Sequence, residues 1–399
     1  MTPAEDRSRP EAVELGRAEA PPARVRRSRL AGVDAARALA LVGMLATHTL
    51  PLRDDGEATL SALLAEGRAS ALFAVLAGVG VALYAGGPQR PRDGRLALGA
   101  GLAVRGVLVG LIGLLLVELD PPVLVILSSY GLLFMVAIPL LGLSARALAA
   151  GAVLACAVTP VLSHLLRPGP EVIPAQAGFG ALADPAGLLF HLAVDGFYPV
   201  LTWTTYLCAG MAVGRLDLRR RGVGWALLGG GAALSVLATA SSRVLLAMSG
   251  SAVEPERLAD RFYGTAPTDT WWWLAVDAPH SGVALDLANT TGSALAVLGA
   301  MLLLARRWPA VVWLPAAVGA VPLTLYVLHA LALLVFPPTG DVRAAVFLVN
   351  VAGAVLVGVA VGLPGRRGPL EAAVSAASSV ARAAVRRRDR AAGQPEASE

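Results

Sequence analysis

Long apolar runs separated by short polar segments dominate this chain. Each run has about 18 or more residues with few charges, which is enough for a helix to cross a hydrocarbon core of roughly 30 Å. The pattern therefore predicts an all-α, polytopic bundle of transmembrane helices. Ten spans are predicted, at about 33–52, 68–86, 96–117, 123–141, 146–166, 196–214, 222–247, 284–305, 311–335 and 343–363.

Composition supports a membrane protein over a soluble or nucleic-acid-binding one. The 399 residues are 56% hydrophobic and only 15% charged, far less charge than a soluble surface of this size carries. A net charge of +5 would fit nucleic acid, but the arginines lie beside the apolar runs, where topology signals belong. The two cysteines, Cys156 and Cys208, lie inside apolar runs and predict neither a disulfide framework nor a metal site.

Basic segments predict the orientation of the bundle. With ten spans, these arginine-rich segments fall on one side: RVRRSR (24–29), PQRPRDGR (88–95), GRLDLRRRG (214–222), RRW (306–308) and VRRRDR (385–390). The positive-inside rule then places both termini in the cytoplasm, with the protein in the inner or plasma membrane. Residues 1–28 are predicted to be a disordered cytoplasmic tail, 29–365 the transmembrane domain, and 366–399 a basic cytoplasmic tail.

The first run carries three ionisable side chains. Asp34 and Arg37 are three residues apart, so they share a helix face and can neutralise each other. Arg37 and His48 are eleven residues apart, which brings His48 to within about 20° of the same face after roughly 16 Å. Ionisable groups at this depth usually face a bundle interior, so the stripe indicates a polar path. Alternatively, Asp34 and Arg37 snorkel to the headgroups and His48 is interfacial.

This first span resembles that of the integral-membrane acyltransferases. In RLAGVDAARALALVGMLATH (29–48), Arg37 and His48 match the basic residue, ten intervening residues and His of bacterial sugar O-acyltransferases. Other segments resemble the bacterial branch of the heparan-alpha-glucosaminide N-acetyltransferase family: GRASALFAVLAGVGVAL (67–83), ILSSYGLLFMVAIPLL (126–141), FYPVLTWTTYLCAGMAVGRLDL (197–218), APHSGVALDLANTTGSAL (278–295), VPLTLYVLHAL (321–331) and GPLEA (368–372).

The resemblance implies a membrane-bound acyltransferase. Such an enzyme moves an acyl group, usually acetyl, from acetyl-CoA or another acyl-CoA to a hydroxyl or amine outside the cytoplasm. The implied partners are the lipid bilayer, acyl-CoA and an extracytoplasmic acceptor, which is a small molecule or a glycan or glycolipid of the cell envelope, with a homo-oligomer left open. A transporter or permease using the same polar path is the alternative, although no internal repeat supports it, and a non-catalytic scaffold is a third.

His48 is the predicted catalytic base, because an imidazole with a pKa near 6.5 can accept a proton from the acceptor at neutral pH. A transient acyl-histidine is the alternative role. Asp34 is predicted to orient Arg37, and Arg37 to bind phosphate or pantetheine carbonyl groups. The heparan-specific enzymes differ: an Asn matches His48, and their catalytic His lies in the first outer loop. This chain has no His at 53–67.

Three further arginines are predicted donor-binding residues. Arg105 lies near the middle of the third span, where it binds the anionic donor or, structurally, pairs with Asp34, Glu118 or backbone carbonyls of a neighbouring helix. Arg92 and Arg95 precede that span. They are predicted to bind the coenzyme A phosphates, although the positive-inside rule explains them equally well.

Four residues are predicted to contact the acceptor. His329 and Tyr326 share a helix face in the ninth span, Tyr130 follows two serines in the fourth, and His280 lies in an outer segment before the eighth. Support of His48 is the alternative role for His329, and hydrogen bonds between helices are the structural alternative for these groups. No metal site is predicted.

Overall fold

The computed structural model describes residues 30–89, 94–167, 175–250, 252–253, 257, 261–363 and 366–392. The predicted N-terminal tail and Arg92 lie outside these ranges. Within them the fold is helical, as predicted, and the α-helices follow in chain order: α1 Ala31–Thr49, α2 Leu60–Ala65, α3 Arg68–Tyr84, α4 Arg95–Glu118, α5 Leu127–Leu140, α6 Ala145–Leu166, α7 Pro185–Phe190, α8 Val200–Gly214, α9 Arg221–Met248, α10 Ala284–Arg307, α11 Pro309–Val318, α12 Pro322–Val335, α13 Arg343–Val357 and α14 Pro369–Ala392.

Short turns complete the described chain. There are 3-10 turns at Phe179–Ala183, Trp271–Ala275 and Gly340–Val342, and π turns at His191–Asp195 and Gly358–Gly362. Strands β1 Arg53–Asp54 and β2 Glu57–Ala58 form a two-residue antiparallel hairpin. Its turn residues, Asp55 and Gly56, both have positive φ, the conformation that an Asp-Gly turn provides in tight hairpins.

Each of the ten predicted spans coincides with a helix or a helix pair. Judged by length and apolar composition within the described residues, six segments can cross a membrane, or seven if α11 and α12 form one bent span. The chain is therefore a multi-pass membrane protein. Helices α5 and α8 are shorter apolar helices, so the count of ten spans and the orientation stay predictions.

The predicted ninth span is broken rather than straight. Helices α11 and α12 meet at 61°, because Pro322 begins a new helix after Val321. At the break, Gly319 lies so close to the Asp34 carbonyl of α1 that a Cβ would overlap it. The Glu371 carboxylate of α14 accepts hydrogen bonds from the Leu323 and Thr324 N–H groups at 2.7 and 3.0 Å, which caps the N-terminus of α12.

Glycines let the helices of the bundle approach closely, as expected in lipid, where close packing holds helices together. Gly78 of α3 lies against Gly210 of α8, and Gly231 of α9 against Gly292 of α10. A Cβ at any of these positions would overlap the backbone of the neighbouring helix.

Most of the predicted C-terminal tail is a helix. In α14, the buried Ser378 hydroxyl donates to the Gly101 carbonyl of α4 at 2.7 Å, and the Arg382 guanidinium lies 4.9 Å from the centre of the Tyr84 ring. The Arg-rich composition favoured a solvated tail. The sequence also carries a small and apolar face, which includes Val374 and Ser378, and this face packs on α4.

Candidate active site

A chain of hydrogen bonds joins three helices at His48. The His48 Nδ1 atom lies 3.1 Å from His329 Nε2, and the two rings are within 5° of parallel. On its other edge, His329 Nδ1 lies 2.9 Å from Asn350 Oδ1. The Asn350 Nδ2 group donates to the Val346 carbonyl at 2.8 Å, one turn earlier in α13. We call His48, His329 and Asn350 the histidine relay.

The relay determines which nitrogen of His48 is basic. Because Asn350 Nδ2 is engaged by a carbonyl, Oδ1 faces His329 and can only accept, so His329 Nδ1 carries a proton. In a neutral imidazole the other nitrogen, His329 Nε2, is then an acceptor, and it receives the proton of His48 Nδ1. His48 is left with its lone pair on Nε2, on the ring edge away from His329.

His48 lines a cavity of about 390 Å³ that we call the histidine cavity. Its polar lining includes the Glu66 carboxylate and the Arg261 guanidinium, which lie 3.7 Å apart. His280 also lines the cavity, and burial together with Arg261 lowers its pKa to about 4, so that this imidazole is neutral at physiological pH. Other polar lining groups are Thr47, Ser70, Gln176, Tyr198, Tyr263 and Tyr326.

A second cavity, of about 280 Å³, is lined by two arginines, Arg37 and Arg105, and we call it the arginine cavity. Arg37 lines it and is held by an ion pair with the buried Asp34 carboxylate. Arg105 also lines it, with its guanidinium 5.7 Å from the centre of the Tyr84 ring. The Tyr130 hydroxyl is buried and has no hydrogen-bond partner among the described residues, so this lining residue keeps a free donor.

The two cavities share one wall residue, Tyr326. Its hydroxyl accepts a hydrogen bond from the Ile126 N–H at 3.2 Å and donates to the Leu124 carbonyl at 3.4 Å. These bonds tie the ring of α12 to the start of α5. Arg37 and His48 thus lie on one helix, but each lines a different cavity, and Tyr326 stands between the two.

The remaining predicted residues are placed as follows. His329 lies behind His48 in the relay. Arg95 packs against Gly142, outside both cavities. Among the described residues, no ion pair joins Arg105 to either carboxylate offered as its structural partner: Asp34 pairs with Arg37, and Glu118 accepts a hydrogen bond from the Phe179 N–H.

Sequence reasoning missed several site residues. Asn350 was detectable as the one polar residue of FLVNVAG (347–353) in an apolar run. Glu66 lies in the segment 53–67, which was considered only for its lack of a histidine. Glu371 lies in the motif GPLEA (368–372), but it was assigned no structural or catalytic role. Arg261 and Gln176 come from long connecting segments without a periodic signal, so only tertiary structure reveals them.

The described residues contain no group of three or more His, Cys, Asp or Glu side chains that could hold a metal ion. In comparisons with known proteins, the family model for the heparan-alpha-glucosaminide N-acetyltransferase catalytic domain matches residues 29–247, which is more than half of the chain. This range contains Arg37, His48, Arg105 and Tyr130, whereas His329 and Asn350 lie beyond it. No curated protein matches the chain.

Proposed function

The chain belongs to the heparan-alpha-glucosaminide N-acetyltransferase catalytic family, and on that premise we propose that it transfers an acetyl group from acetyl-CoA to a hydroxyl or amine across a membrane. The observation that carries this proposal is the pair of neighbouring cavities that share Tyr326 as a wall residue. One cavity contains two arginines, the other contains His48, and a tyrosine lines both.

The arginine cavity has the chemistry that an acyl-CoA donor requires. Arg37 and Arg105 supply guanidinium groups, which form strong, charge-assisted hydrogen bonds with phosphate and carbonyl oxygens. The unpartnered Tyr130 hydroxyl can donate to a carbonyl of the pantetheine arm or of the thioester. In this proposal the pantetheine arm passes Tyr130 and brings the thioester to Tyr326, at the boundary of the histidine cavity.

The histidine cavity suits a polar acceptor. Glu66 can accept hydrogen bonds from hydroxyl or amine groups, Arg261 can donate them, and the amide of Gln176 can do both. Such mixed donors and acceptors match a sugar or another polyhydroxylated head group. We infer an acceptor on the cell-envelope side, with the arginine cavity facing the cytoplasm.

The proposed reaction uses His48 Nε2 as the base. The acceptor oxygen or nitrogen attacks the thioester carbonyl carbon while Nε2 takes its proton. The C–S bond then breaks, and the departing coenzyme A thiolate receives the proton from His48, so that charge and atoms balance. Throughout, His48 Nδ1–H stays bonded to His329 Nε2, which holds the ring and stabilises the transient imidazolium, as the third group of a catalytic triad does.

Arg105→Gln tests the donor site. We expect the KM for acetyl-CoA to rise on the order of tenfold, because a hydrogen bond to a charged group contributes roughly 1.5–3 kcal/mol. The measurement is release of the coenzyme A thiol by purified protein in lipid. Arg146→Gln, an exposed arginine of α6, is the matched control and should leave KM unchanged. A folded Arg105→Gln protein with an unaltered KM would remove the arginine cavity from donor binding.

A further inference from the structure

A third concavity, of about 490 Å³, lies between α1, α12 and α13. No charged residue lines it, and its only polar lining residues are His329 and Asn350. This groove shares no lining residue with the histidine cavity or the arginine cavity, and the proposed reaction does not use it. The coenzyme A phosphates would find no partner there, and leaving charges unpaired in an apolar setting is strongly unfavourable. A lining that is almost entirely apolar favours binding of a hydrocarbon chain.

The groove opens toward the bilayer. Its rim residues Leu328, Phe336 and Val349 expose 46%, 62% and 66% of their surfaces. Helix α13 lies in the candidate span Gly340–Gly362, of which only 17% is buried inside the protein. One wall of the groove is therefore a helix that is mostly exposed on the surface of the bundle, whereas Leu41 and Leu45 of α1 form a buried floor.

The groove also adjoins the relay. Asp34 lies against Gly319 near the beginnings of α1 and α12, and His48 contacts His329 farther along both helices. The two helices therefore run in the same direction. Phe336, at the far end of α12, lies on the same side of the bundle as His48. A chain in the groove touches His329, which bonds directly to His48, and His48 in turn lines the histidine cavity.

We propose that this groove seats the hydrocarbon tail of a lipid-linked acceptor, whose polar head reaches the histidine cavity from the bilayer. This inference rests on the proposed function and names the class of its acceptor: a single alkyl or polyprenyl chain that carries a sugar or amine head group. An acceptor held by its tail has lost much of its freedom before the reaction, so its head is presented to His48 at high effective concentration.

Two acceptor probes share the same glucosaminide head group and differ only in their alkyl chain, so comparing them measures the effect of the tail. Methyl glucosaminide and hexadecyl glucosaminide are offered, together with acetyl-CoA, to the full chain in nanodiscs. Gly353→Leu fills the groove, since Gly353 lines it and a Cβ there meets no atom within 4 Å. Gly229→Leu in α9 is the matched control, because a Cβ at Gly229 also meets nothing within 4 Å and lies outside the groove.

We expect wild type to favour hexadecyl over methyl glucosaminide at least tenfold in kcat/KM. Gly353→Leu should remove that preference and leave turnover of the methyl probe unchanged, whereas Gly229→Leu should change neither. Equal wild-type use of the two probes, or equal loss of both in Gly353→Leu, would overturn the inference.

A binding readout separates this inference from the proposed function. A hexadecyl glucosaminide with a photoreactive group in its tail should label α13, and unlabelled hexadecyl glucosaminide should compete while hexadecyl phosphocholine should not. Gly353→Leu should abolish labelling. If hexadecyl glucosaminide and hexadecyl phosphocholine compete equally well, the groove binds ordinary lipid without regard to the head group. That result would overturn the groove as an acceptor site. If neither probe is acetylated and no thiol is released, the proposed function fails, while labelling still decides the groove.

Discussion

His48→Gln is expected to lower kcat for acetyl transfer by about 10²–10⁴-fold, the contribution typical of a positioned general base. The Gln amide can still donate to His329 Nε2, so the helix contact survives while the basic Nε2 is lost. The KM for acetyl-CoA should change little, because Arg37 and Arg105 line the other cavity. Thiol release and acetylated product, both measured at saturating donor, give kcat directly.

His164→Gln is the control for that experiment. His164 stacks on Trp271 at 4.4 Å and lines neither cavity, so its replacement should leave kcat unchanged. A monodisperse elution profile like that of wild type shows that each variant is folded. Turnover of folded His48→Gln within threefold of wild type would exclude His48 as the base and, with it, the reaction proposed above.

Asn350→Leu is expected to lower kcat by about 10–100-fold without changing the KM of either substrate. Leu has no acceptor for His329 Nδ1–H, so the two histidines lose the tautomers that place the lone pair on His48 Nε2. Groups that orient a metal-bound histidine typically contribute this much to activity, and we expect a similar contribution from Asn350. The measurement is steady-state kinetics with methyl glucosaminide, an acceptor without a tail, so that any change in the apolar groove does not enter.

The conservative variant distinguishes orientation from packing. Asn350→Asp keeps an oxygen acceptor opposite His329 Nδ1 and should recover most of the activity lost in Asn350→Leu. If Asn350→Asp is as inactive as Asn350→Leu, or if Asn350→Leu is as active as wild type, then Asn350 does not position His329 for catalysis. A loss confined to KM would likewise contradict a positioning role.

Apolar run length predicted the helices well because lipid forces a spanning backbone to satisfy its hydrogen bonds internally. Run length did not anticipate the break between α11 and α12, because Gly319, Ala320 and Val321 interrupt the run without making it polar. Nor did Arg-rich composition reveal the buried face of α14.

The first span shows how far sequence reasoning reached into the site. Helical spacing placed Arg37 and His48 on one stripe, and both now line cavities. The stripe was interpreted as one continuous path, whereas the structure has two cavities with Tyr326 between them. The partner of His48 is 281 residues away in sequence. Without covariation or a repeat, no local pattern could pair His48 with His329, or His329 with Asn350.

Sidedness tests the central claim most directly, namely that donor and acceptor reach His48 from opposite faces through two cavities. The chain is reconstituted in vesicles, and molecules of one orientation are selected by labelling an engineered cysteine at position 60 with an impermeant thiol reagent. Acetyl-CoA confined to the face of the arginine cavity should acetylate methyl glucosaminide confined to the opposite face. Acetylation only when both substrates share one compartment would contradict the account.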